Sequence, residues 1–179
     1  ITPVTLRDDA EIWLKYENTS DSAYFAGSEI YLPIPKKDLA YDDYFNNIEN
    51  DPYNNNTRKT PEYSTYLTSK ISLPGFDTYY AVDTSAAVNS GTVGASWVPV
   101  SKTWYTGSDI DGSVIDLADV TMVKFVANGL INSGYSDTVS FAVSISDTAA
   151  LGQRGYWLSY QKGWRDAAGN GTWVYGSVI

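Results

Sequence analysis

No cysteine and no histidine occurs anywhere in the 179 residues. The first absence excludes disulfides, thiolate metal sites and cysteine nucleophiles. The second removes the commonest general base and the commonest zinc ligand. A secreted animal domain of this size would ordinarily carry a disulfide, so an oxidised animal scaffold is disfavoured. Cations are also scarce: 12 Lys and Arg stand against 21 Asp and Glu, a formal net charge of −9. That balance disfavours nucleic acid and anionic membrane surfaces as partners. No apolar run approaches the roughly 18 residues that a bilayer-spanning helix needs, so membrane insertion is not expected. No signal peptide or cell-wall sorting signal is visible, and Leu73-Pro74-Gly75 is not one. If the protein is secreted, this is a fragment of a longer chain.

What is present is apolar and aromatic. Hydrophobic residues make up 43% of the chain, which places it among globular proteins. Fifteen Tyr and six Trp, with abundant Thr, Val and Ser, favour strands over helices. The clearest strand is Glu11-Ile-Trp-Leu-Lys-Tyr-Glu17. Ala10, Ile12, Leu14 and Tyr16 fall on one face, and Trp13, Lys15 and Glu17 on the other, the period of two of a half-buried strand. Asn18-Thr19-Ser20-Asp21 is turn chemistry, because short polar side chains bond their own backbone there. A second apolar strand follows, and Pro33 and Pro35, lacking N–H groups, confine it to an edge or end it.

Residues 36–68 change character. They are dense in Asn, Asp and Tyr without a clean period and read as a long surface excursion, with one helical turn over 42–48; such loops often carry function. Strands resume from Ser64. One is expected over 69–73, ending at the turn pair Pro74-Gly75, and others over 79–82 and 96–100. Residues 107–112 read as a loop. The run Asp137-Thr-Val-Ser-Phe-Ala-Val-Ser-Ile145 alternates with Val139, Phe141, Val143 and Ile145 inward. The end of the chain reads as a hairpin, with a strand over 156–160, a turn signal at Asn170-Gly171, and a strand over 172–175. A further strand is expected near 3–6.

An alternating strand, an Asn-Thr-Ser turn, an apolar strand and a proline stop, followed later by Asp116-Leu-Ala-Asp-Val-Thr121 before a strand and by Thr138-Val-Ser-Phe-Ala-Val143, resembles the conserved-repeat domains of Gram-positive bacterial cell-surface proteins. The likeness touches roughly residues 8–35 and 113–179. The resemblance implies an all-β fold, an antiparallel immunoglobulin-like β-sandwich, here one domain over 1–179 with about seven to ten strands, Greek-key connections and one long elaborated loop. It implies a non-catalytic, extracellular, cell wall-associated module, a structural stalk or adhesion unit. Its partners would be neighbouring domains of the same chain and a host surface protein or glycan. No cofactor is implied.

Within that reading, Tyr41, Tyr44 and Tyr53 in the excursion are the candidate ligand-binding residues, since exposed rings offer apolar faces to sugars or proteins. A carbohydrate-binding module using exposed Tyr or Trp is the alternative, and a fragment of a secreted glycoside hydrolase stands behind it; no carboxylate pair sits in a recognisable catalytic motif. Asp109 and Asp111, followed by Gly112, resemble the start of a calcium loop but lack the remaining ligand spacing, and an acidic surface turn explains them equally well. Lys15 and Lys124 are the candidates for a Lys–Asn isopeptide crosslink, which needs a lysine kept neutral in a dry core. Three Asn-x-Ser/Thr sequons begin at Asn18, Asn55 and Asn170.

Overall fold

The structure is a computed structural model, and it describes residues 10–37, 61–82, 102–146, 149–153, 160–164 and 171–175. The fold is all-β: among the described residues nine strands lie in two antiparallel sheets, with one short α-helix and a single 3-10 turn at Leu117–Asp119. The strands are β1 (Ala10–Glu17), β2 (Glu29–Pro33), β3 (Thr65–Leu67), β4 (Phe76–Ala81), β5 (Tyr105–Thr106), β6 (Met122–Ala127), β7 (Ser136–Ile145), β8 (Tyr160–Trp164) and β9 (Gly171–Tyr175), and the helix is α1 (Gly107–Asp111). One sheet has the order β1-β7-β3, the other β5-β4-β6-β2-β8-β9.

The alternation in β1 and β7 sets their register. Ile12 pairs with Phe141 and Leu14 with Val139, so both apolar sets share a face. Tyr16, Val139, Phe141 and Val143 are buried, Ile12 and Leu14 pack against the same cluster half-buried, and Trp13 on the other face is 63% exposed. Ile145, expected inward, is only half-buried at the strand end. The larger sheet contributes Ile30, Leu32, Phe76, Tyr80, Val123 and Phe125 to the same cluster. One core therefore lies between the two sheets. The Tyr16 ring meets Phe76 edge-on at 5.5 Å across it, a favoured aromatic geometry.

Pro33 ends β2 without placing it at an edge. β2 runs between β6 and β8, and its pairing with β8 stops at Tyr31. Pro74-Gly75 makes the expected turn: Gly75 sits at φ +77°, a conformation glycine adopts without penalty, and the Phe76 N–H donates to the Leu73 carbonyl at 3.1 Å.

Three expectations fail locally. Residues 69–73 form no strand but cross from one sheet to the other. Both backbone groups of Ile71 are satisfied instead by the buried Tyr80 hydroxyl, which accepts from its N–H at 3.0 Å and donates to its carbonyl at 3.2 Å. Residues 107–111 are helical, because extended Thr106 precedes them and the Asp109 carboxylate folds back onto the Thr106 N–H and Oγ1 at 2.6 and 2.8 Å. Gly171 is not part of a two-residue turn: it pairs with Trp164 inside the β8–β9 ladder. The strands expected near 3–6 and 96–100 and the helical turn at 42–48 lie outside the described residues.

Strand direction gives the molecule two ends. Glu17, Glu29, Phe76, Ala127 and Ser136 lie at one, which we call apical. β1 begins at the opposite, basal side, and β9, antiparallel to β8, runs back toward it. The excursion leaves and returns on the basal side as well. Its feet are tied where the Thr65 N–H donates to the Pro35 carbonyl at 2.7 Å and the Lys37 N–H to Ser64 Oγ at 3.0 Å.

Candidate functional site

The apical loops are built around one side chain. Asn18 is 2% exposed. Its two Nδ2 hydrogens are shared among the carbonyls of Ser22, Ile131 and Asn132 at 3.0–3.1 Å. Its Oδ1 lies 3.1 Å from the Ser20 N–H and 2.8 Å from Ser20 Oγ. Backbone bonds join the same loops: Asn18 N–H to the Tyr135 carbonyl, Gly134 N–H to the Asn18 carbonyl, and a reciprocal Tyr24–Ile131 pair at 2.9 Å. Ser133 Oγ donates to the Ser20 carbonyl at 2.7 Å. A buried amide that saturates carbonyls of two loops holds both in one shape, since leaving any of those groups unpaired is costly. Turn chemistry at Asn18–Asp21 was legible locally; that the same amide reaches 113 residues along the chain has no local signature.

A second cluster lies on the larger sheet's outer face. Tyr79, Lys124 and Tyr31 stand side by side on β4, β6 and β2. The Lys124 ammonium lies 4.3 Å from the Trp104 ring centroid and 5.2 Å from that of Tyr79. Trp104 also tilts against Tyr31 at 6.0 Å. Tyr31 is 5% exposed and its hydroxyl donates to Glu29 at 2.8 Å. Burial first, and then the Glu29 charge, pushes the Tyr31 hydroxyl far above its ordinary range. Burial lowers the Lys124 ammonium, with Glu29 opposing the shift. The facing of Lys124 was unreadable because both faces of β6 are apolar: Met122 on its side is as buried as Val123 on the other.

Of the sequence candidates, Tyr41, Tyr44 and Tyr53 lie outside the described residues. Asp109 is engaged by Thr106, which holds its carboxyl below the usual range. Asp111 accepts twice from Lys70 Nζ at 2.7 and 2.8 Å. The two carboxylates thus serve separate partners, and among the described residues no three potential ligands gather around a metal position. Lys15 is exposed and paired with Glu17 at 2.6 Å, far from the dry surroundings a crosslink needs. The lysine whose surroundings come nearest to that was not singled out by the sequence. Lys36 Nζ donates to the Ala118 carbonyl at 2.7 Å and lies 4.3 Å from the Tyr66 centroid. Burial lowers its pKa to about 8, against the opposing pull of Asp119.

Among the described residues no helix is long and apolar enough to cross a membrane. No family model, no curated protein and no solved structure matches the chain.

Proposed function

We propose that this chain is a non-catalytic extracellular module of a bacterial cell-surface protein, an immunoglobulin-like sandwich working as an adhesion unit. The observation that carries the choice of adhesion over stalk is the direction of the strands. β1 starts and β9 finishes toward the basal side, and the excursion is rooted there too. This leaves the loops that join β1 to β2 and β6 to β7 side by side at the apical end, away from the root of the excursion, as a contact surface needs and a spacer does not. The Asn18 network supports the same reading, because loops held rigid before contact lose little entropy on binding.

The test is attachment. Beads carrying the module through a C-terminal biotin should be retained by host cells or matrix proteins above bare beads. Retention no better than bare beads on cells, matrix proteins and a glycan array would leave only the stalk. The sugar-binding reading has one observation of its own, the exposed Trp13 ring opposite the small residue Ser140. Glycan-array binding that disappears in W13A would favour it.

A further inference from the structure

We infer that the apical tip is a docking surface for a cationic polypeptide segment carrying apolar side chains. This rests on the adhesion reading for its setting and adds the place and the partner chemistry. In the Tyr24–Ile131 pair, Ile131 turns into the core and Tyr24 packs against it. Their neighbours Phe25 and Leu130 therefore turn outward by the alternation of extended chains, and they are 38% and 55% exposed. Two large apolar side chains on facing segments form a patch, where single exposed ones would need no explanation. The Asn18 network fixes the segments that carry them.

The patch defines the surface, and its charge selects the occupant. The described residues of the tip, 18–28, 74–75 and 128–135, contain one charged residue, Asp21, and no Lys or Arg. One step in along the strands stand Asp77, opposite Val126, and Asp137, opposite Tyr16. Asp21 and Asp77 are exposed. Lys15, a cation of the adjoining strand β1, is already paired with Glu17. Two such tips brought together would repel, which argues against a second copy, and an anionic membrane would be repelled likewise.

The probe is a synthetic peptide alternating Lys and Leu, with a Glu–Leu peptide as its counterpart, titrated against the whole chain. The Lys–Leu peptide should bind and the Glu–Leu peptide should not. F25S/L130S should weaken binding at least tenfold while the melting temperature stays within a degree or two. D21N/D77N should weaken it severalfold and flatten its salt dependence. V114S, which removes an exposed valine beyond the β5 edge, should change nothing. Equal losses in V114S and F25S/L130S, equal binding of both peptides, or a dimer in sedimentation that F25S/L130S abolishes would each overturn the proposal. Bead retention on cells that survives F25S/L130S would sink the tip and spare the adhesion reading. Peptide binding at the tip with no retention on cells does the reverse.

Discussion

At the residue scale, two buried polar groups and the half-buried Lys36 make different predictions. Asn18 satisfies carbonyls in two loops, so N18A should cost about 3 kcal/mol in denaturant unfolding, the sum expected for several modest bonds with carbonyls left unpaired. N18D should be worse than N18A, because a carboxylate would face three carbonyl oxygens with nothing to donate; a milder N18D would show that the network is not what holds the loops. Thr65 is the contrary case. Its hydroxyl is buried and, among the described residues, has no hydrogen-bond partner. T65V keeps the shape and removes the orphan, and should therefore stabilise by roughly 1 kcal/mol. Lys36 is a matter of pH. Its folded pKa of about 8 lies below the unfolded value of 10.5, so between those values the unfolded chain binds more protons and stability rises with pH. The stability of the native chain relative to K36M should therefore climb from pH 8 to 10.5 and be flat below 7. A flat difference across the whole range would show that Lys36 stays charged and solvated.

At the element scale, the alternating strands were legible and the connections were not. With a period of two in β1 and β7, a one-residue slip would turn Leu14 away from Val139 and Phe141, and the register present keeps all three on the core face. F141A should accordingly cost about 3–5 kcal/mol, whereas W13A on the opposite face should stay within about 0.5 kcal/mol; urea unfolding of the pair checks the facing directly. The crossing at residues 68–73 misled because Ile71 and Leu73 are apolar and spaced as in a strand. Their backbone partners come from a tyrosine nine residues later, and no periodicity announces that. The helix α1 was hidden for a related reason, since five residues offer no period and only the Asp109 side chain marks its start.

At the scale of the whole molecule, composition announced strands in antiparallel sheets but could not say how they share out between sheets. β2 and β6 lie at the centre of the larger sheet with both faces covered, so their outward residues Tyr31 and Met122 read as core as well. The candidate surface was illegible for the same kind of reason: Phe25 and Leu130 are ordinary apolar residues, more than a hundred positions apart, until Tyr24 and Ile131 pair. The tyrosines of the excursion were conspicuous by composition, and the basal rooting of that loop turns attention to the other end.

The buried Asn18 also governs where this protein can be produced. Asn18-Thr19-Ser20 is an acceptor sequence for oligosaccharyl transfer, which acts on the chain as it emerges into a eukaryotic secretory lumen, before folding closes the site. A glycan placed there would occupy the nitrogen that must face three carbonyls in a space with no room for sugar. Secretion from yeast or insect cells should therefore yield retained, misfolded material, and T19A/S20A, which destroys the acceptor while keeping the amide, should restore secretion. Bacterial cytosol imposes no such conflict. Equal secreted yields with and without the acceptor would show that the loop closes faster than the sugar arrives.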